Sequence, residues 1–498
     1  MENRTYYFSS KGHPGGDGSK ESPFFSLLEA EKLSICPGDA LLLERGSVFE
    51  RQWLHLHNLV GTKEQPIVVG SYGEGPLPVI RTEGLGLWYQ NYGAELDSPC
   101  HVWKGYVSSA VLLYDCANIR VENLEITNEP EIFGERYNQG DKMNRTGVAV
   151  VAQNGGTLEN ITLTRLYVHG VKGNVYDKHM NNGGIYCTAL KPEKEDVPVA
   201  RYHRLRIEHC KVESCSRWGI AAGYSYTHGH FTTAKLPDAV VKAYGHTEVV
   251  IEHNLVKDIG GDGITVMYCF QPLVQYNVSE GVATEINDSV YIEAGVRQGK
   301  TAAAIWPWKC KDALFQYNEC YNTCDNQDGQ AWDADSGDGT IYQYNYSYGN
   351  EGGCVMFCLE ESVNNIFRYN VSVSEKGGVM NPAQNPDAHV YGNIFVMAEG
   401  VPFIRLNMSG GHMLVENNVI VNTGKACEMD WHHQSEYFTY RHNRYVGYEN
   451  VPAEDGEAME NGLTEQEEKA LKECKGVKDI KNLLQAFGQV KGMGSCLE

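Results

Sequence analysis

The chain has 498 residues, 42% of them hydrophobic, 21% charged and 10% aromatic, with 64 acidic against 42 basic side chains and a net charge of −22. That balance excludes nucleic acid and an anionic membrane surface as partners, since both would be repelled, and no apolar run is long enough to span a bilayer. A neutral ligand is expected, and 30 tyrosines with eight tryptophans suit a carbohydrate, whose apolar ring faces stack on aromatics.

At the N-terminus, MENRTYYFSS lacks the apolar core of an export signal, so a cytoplasmic location is expected unless a signal has been trimmed. Residues 23–35, PFFSLLEAEKLSI, read as an amphipathic helix with Ser22 at its N-cap and proline at its first position. The turn PGD at 37–39 then leads into ALLLERGSVF, a first strand. Loop-rich insertions follow near 86–112 and 224–246. The 15 cysteines include no metal-ligand CxxC pair, and buried reduced thiols are the simplest reading.

From residue 250 one phrase recurs: VIEHN ending at Asn254, LVQYN at Asn277, LFQYN at Asn318, IYQYN at Asn345, FRYN at Asn370, HVYGN at Asn393, LVENN at Asn418 and YRHN at Asn443. Weaker relatives end at Asn123 and Cys210. From Asn318 the intervals are 27, 25, 23, 25 and 25 residues. Each phrase alternates apolar and polar side chains, as a strand with one buried face does. Asparagine suits the left-handed bend that should follow and, stacked coil on coil, can form a hydrogen-bonded ladder. A coil of this length with two or three short strands is the unit of a parallel β-helix, expected here as a single domain over residues 1–451. Residues 452–498 read as a solvated acidic linker, PAEDGEAMENG, and a helical C-terminal cap. The cap opens with a capping box, Thr464 with Glu467.

The stretch 325–339, DNQDGQAWDADSGDG, sets five aspartates close together without a basic residue. It should form a corner and then a strand, so that Asp333 and Asp335 share a face opposite Trp332 and Ala334, with Cα atoms about 6.5 Å apart. Asp328, back across the corner, can come down beside either. Two carboxyls about 5–9.5 Å apart are what glycoside hydrolysis needs, and crowding keeps one of them protonated as the acid. Clustered aspartates also suit a structural calcium, although the spacing is not that of an EF-hand loop, and Asp338-Gly339 reads as a plain turn. No cofactor is otherwise expected. Substrate contacts are expected from Trp306, Trp308, Trp332, Glu360, Arg405, Trp431 and His432. Weaker candidates are Glu361, His433, Asp262 and Glu293.

The opening YYFSS…GGDGSKESPFFSL…PGDALLLERGSVF resembles that of many β-helical carbohydrate-active enzymes. Residues 303–358, from AAAIWPWKC to GGCVMFC, are similar to the catalytic region of β-helical glycoside hydrolases, most nearly the lacto-N-biosidase family. The resemblance, with the general preference for right-handed crossovers, implies an all-β, right-handed parallel β-helix. It implies a glycosidase acting on an oligosaccharide, retaining in mechanism, with Asp328 as nucleophile and Asp335 as acid/base; Asp333 is kept as a third, tuning carboxylate. Two other readings use the same fold. A polysaccharide lyase would recruit Lys309 or Lys311 as base, and a non-catalytic carbohydrate-binding solenoid would need no such groups.

Overall fold

The structure is a computed structural model that describes residues 3–96, 101–129, 143–175, 177–232, 234–286, 301–359, 362–406, 408–455, 459–460 and 462–490. It divides into two compact units. One comprises Met1–Thr232, Asp238–Pro272 and Val282–Ala302; the other comprises Thr233–Pro237, Leu273–Gly281 and Ala303–Glu498.

Both units are built as a parallel β-helix, each coil giving one short strand to each of three sheets. In the first unit the coil Thr157–Thr164, Tyr167–His169 and Gly183–Ala189 lies under Arg201–Glu208, Lys211–Glu213 and Trp218–Ser225. The registers Leu163↔Ile207, Val168↔Val212 and Ile185↔Ile220 stack apolar side chains into the interior. In the second unit Leu314–Gln316, Glu319–Tyr321 and Gln330–Asp335 lie under Ile341–Gln343, Tyr346–Tyr348 and Gly353–Cys358. Phe315, Tyr342 and Phe367 follow one another at one register position and are fully buried. Each such side chain contributes about 1.5–3 kcal/mol by leaving water.

The repeated asparagines form the expected ladder. Asn345 donates its backbone N–H (3.0 Å) and Nδ2 (2.9 Å) to Oδ1 of Asn370, and the pattern runs from Asn277 through Asn318, Asn345, Asn370, Asn393 and Asn418 to Asn443. The left-handed bend is not theirs. It falls on the residue before each of them: Tyr276, Tyr317, Tyr344, Tyr369, Gly392, Asn417 and His442, with φ between 53° and 68°. The ladder asparagine must turn its amide inward to bond the next coil, so its predecessor makes the corner.

Several expected elements differ in detail. The helix expected over 23–35 is a 3-10 helix, Leu27–Lys32, capped by Ser26; Phe24 is taken up by bridges to Phe8 and His13. A strand, Thr5–His13, precedes the expected first one and pairs with it. The insertion near 86–112 is a hairpin in which Leu87–Asn91 runs antiparallel to Lys104–Tyr114, whose later residues continue the third sheet. The insertion near 224–246 holds a short 3-10 turn, His228–His230, and the helix Asp238–Tyr244.

The capping box of Thr464 and Glu467 opens the helix Glu465–Glu473 as expected. With Val477–Ala486, however, it lies along the second sheet, not across the end of the stack. Ile480, Leu483 and Leu484 pack on Val371, Ile394, Val419 and Val446. Nor is the acidic linker simply solvated: Asp455 is buried, and its Oδ2 accepts the last ladder donors, N and Nδ2 of Asn443, and the Tyr445 hydroxyl. Every described cysteine is free, and most are buried.

Candidate active site

The strand Gln330–Asp335 alternates as expected. Trp332 and Ala334 are in the core, so Asp333 and Asp335 take the outer face of the third sheet. Asp335 stands between Trp308 on the preceding coil and Cys358 on the next. The same register sets Trp306 level with Asp333, which has Met356 on its other side. Asp335 is half-buried and its Oδ1 accepts a 2.6 Å bond from the Ser336 hydroxyl; Asp333 is only 3% exposed. Ser336 makes the left-handed corner (φ 50°) that ends the strand, as Lys309 does one coil earlier.

Asp328 sits in the turn that enters this strand, and that turn is braced from three sides. Arg405 donates Nη1 to the carbonyl oxygens of Asp328 (3.3 Å) and Gly352 (2.8 Å), and Nη2 to the Asp325 carboxylate. Glu351 accepts from the N–H of Asp325 at 3.0 Å and is itself held by Lys376. On the inner side, Thr323 N–H donates to Asn350 Oδ1 (2.9 Å), and Asn350 donates N (2.7 Å) and Nδ2 (3.0 Å) to Glu375 Oε2. Burial pushes the Glu375 carboxyl up to about 7 against the pull of the donors around it. Gly352 makes the close approach feasible, since a Cβ there would lie 1.8 Å from the Asp328 carbonyl oxygen.

No family model matches the chain. It is 40% identical over 503 residues to lacto-N-biosidase from Bifidobacterium longum subsp. longum, covering 92% of this chain and 31% of that protein. Two structures of GH136 lacto-N-biosidase from Eubacterium ramulus, native and selenomethionine, match with TM-score 0.81 and 57% identity. They cover 84% of this chain, which in turn covers 68% and 67% of theirs. The chain belongs to the GH136 lacto-N-biosidase family. It spans about a third of the length of the Bifidobacterium relative.

Within this GH136 lacto-N-biosidase homologue the remaining expected contacts divide. Trp332 is fully buried against Tyr342 (ring centroids 5.7 Å apart) and has no surface to offer a sugar. Trp431 is likewise a core residue, 3% exposed among Phe403, Tyr440, Tyr445 and Tyr448, with Nε1 on the Asn450 carbonyl. Both indoles fill space that a coil needs filled, the reading that sequence alone could not separate from stacking. Arg405 is committed to the Asp328 turn, and His432 pairs with Glu454 at 2.8 Å. Trp306 is 6% exposed, whereas Trp308 is half-buried with the Lys309 ammonium 5.4 Å from its ring centroid. Asp262 is fully buried in an ion pair with Arg217, and His433 lies near Asp430. Glu360, Glu361 and Glu293 lie outside the described residues.

Asp338 is more than a turn residue. Its buried carboxylate accepts from Lys311 Nζ (2.8 Å), Leu236 N–H (3.0 Å) and Asn364 Nδ2 (2.7 Å). Asp325 is paired with Arg405 and Asp338 with Lys311, so both are neutralised by protein cations. Among the described residues no group of three or more His, Cys, Asp or Glu side chains is placed to hold a metal ion. Asn350 and Glu375 were missed, although the signal was present: Thr323, Asn350 and Glu375 each fall five residues after a ladder asparagine, at the same 27- and 25-residue intervals.

Proposed function

We propose that the chain is a glycoside hydrolase that cleaves lacto-N-type oligosaccharides, releasing lacto-N-biose, with Asp328 and Asp335 as its reacting pair. The observation that carries this reading is the placement of Asp335 on the outer face of the third sheet beside Trp308, directly after the braced turn that holds Asp328. The two similar lacto-N-biosidases support the substrate class.

In this mechanism Asp328 attacks the anomeric carbon while Asp335 gives its proton to the leaving oxygen. Asp335 then takes a proton from the water that releases the sugar. The Ser336 hydroxyl bonds the Asp335 carboxylate and holds one oxygen in place. Asp333, nearly buried two residues earlier on the same face, is the third carboxyl of the proposed site. Trp308 offers an aromatic wall for a sugar ring at the level of Asp335.

The test is turnover of lacto-N-tetraose by the wild type and by Asp328→Asn and Asp335→Asn, with the anomer of the first-formed product read by NMR. Each variant should lose about 10³-fold or more in kcat with an unchanged or higher melting temperature. Wild-type turnover surviving in either variant would refute the pair. An initially inverted product would refute the nucleophile.

A further inference from the structure

The brace on the inner side of the Asp328 turn is a second, shorter ladder. Thr323, Asn350 and Glu375 each stand five residues after a rung of the main one, and all three are buried. Five residues after Asn254, Asn277 and Asn393 the chain carries Ile259, Val282 and Ala398 instead. A coil therefore passes this position without a polar side chain, and the three polar ones are confined to the coil of Asp328 and the two that follow it. Burying polar groups where an apolar residue would serve is unfavourable unless they are hydrogen-bonded. Here they bond one another.

Those bonds lead toward the reacting group. Glu375 Oε2 accepts from N and Nδ2 of Asn350, and Asn350 Oδ1 accepts from the Thr323 N–H. The next residue along the chain, Cys324, offers its carbonyl oxygen to Asn326 Nδ2 at 3.0 Å, and Asn326 Oδ1 accepts from the Asp328 N–H at 3.4 Å. An asparagine in place of Glu375 would need an acceptor on the following coil, where Ala398 has no polar side chain to give. The carboxyl ends the row instead, because its second oxygen, Oε1, bonds the Ser372 hydroxyl at 3.1 Å within its own coil.

We propose that Glu375 is a positioning residue for hydrolysis: acting through Asn350 and Thr323, it sets the place of the turn from which Asp328 reaches the sugar, and it touches no substrate itself. Its role rests on the reading of Asp328 as a reacting group. Misplacing such a group by about 1 Å costs up to about 10²-fold in rate.

The test is steady-state turnover of lacto-N-tetraose at about pH 6 by Glu375→Gln and Glu375→Asp, each below its own melting temperature, with amide hydrogen exchange of residues 323–328 followed in the same proteins. The folded pKa of about 7 keeps the acid mostly protonated at that pH. Glutamine then presents the same pattern, one oxygen for both Asn350 donors and one donor for the Ser372 hydroxyl, so kcat should stay within about twofold and exchange should not change. Aspartate keeps the acid but withdraws its oxygens by about one C–C bond, roughly 1.5 Å. Its kcat should fall about tenfold or more with KM within about twofold, and exchange across 323–328 should quicken about tenfold. Undiminished kcat in Glu375→Asp, a loss carried by KM, unchanged exchange, or an equal loss in Glu375→Gln would overturn the proposal. Asp328→Asn, run alongside, separates the two readings. Turnover surviving in it would sink the reacting pair and the positioning role together, whereas an inert Asp328→Asn beside a fully active Glu375→Asp would sink the positioning role alone.

Discussion

Arg405 has the most revealing position of any single side chain. A guanidinium that donates to two carbonyl oxygens on separate coils fixes the height of one turn above the other, and here one of those turns holds Asp328. Arg405→Ala should therefore lower kcat by about 10- to 100-fold with little change in KM, as a misplaced reacting group does. Arg405→Lys should recover little, because an ammonium cannot span both oxygens. Steady-state kinetics on the two variants would decide it, and a pure KM effect would return Arg405 to substrate contact.

Asp338 gives a contrasting expectation. Removing a buried carboxylate that accepts from Lys311, Leu236 and Asn364 leaves those donors without that acceptor, so Asp338→Ala should cost about 1–3 kcal/mol by denaturant unfolding. Glu375 adds a pH dependence. Its folded pKa is raised from the ordinary 4.5 to about 7, so the folded state holds the proton more tightly than the unfolded chain. The stability this group contributes is complete below pH about 4.5 and is lost as pH rises through about 7. The other titratable groups facing it are Cys320, Cys354 and Tyr346, all with pKa values raised by burial and so neutral in that range. Melting temperatures from pH 4.5 to 8 should fall in the wild type, and the fall should be shallower in Glu375→Gln.

At the scale of elements, the repeating unit was readable because its two physical demands, alternate burial and a polar group facing the next coil, both leave a period in the sequence. The phrases ending at Asn318 and Asn345 located strands and register correctly. The chemistry of the corner was misassigned by one residue, since asparagine suits both a left-handed bend and a ladder, and composition does not say which is in use. The tyrosine before it supplied no warning, because a tyrosine at positive φ is uncommon. Asn345 is buried with both its amide oxygen and its amide nitrogen bonded. Asn345→Ala should therefore cost about 1–3 kcal/mol for the partners left unmatched, measurable by urea unfolding. Gly352→Ala should be worse for activity than for stability, because the Asp328 carbonyl must move to admit a methyl group.

For the molecule as a whole, a stack of coils with two or three short strands each, and a face shared by Asp333 and Asp335 opposite Trp332 and Ala334, were legible from spacing. What spacing could not convey was which aromatic side chains face inward. Trp332 and Trp431 carry the same indole that a sugar site uses, and only the packing of Tyr342 or Tyr440 against them reveals their role. Arg405 was equally opaque, because its partners lie 77 and 53 residues away along the chain. Periodicity reports on neighbours one coil apart and is silent about a brace that skips coils.

The row that ends on Asp455 gives the stack a direction. Every amide in it points the same way, and its final donors rest on a carboxylate supplied by the short turn Ala453–Asp455. A protein cut just ahead of that turn would keep every strand up to Arg444–Val446 but lose the acceptor that anchors the last rung. Deuterium would then enter the coil of Asn443 first and advance toward Asn418 and Asn393 in turn, so that the protein frays from one end as a zipper opens.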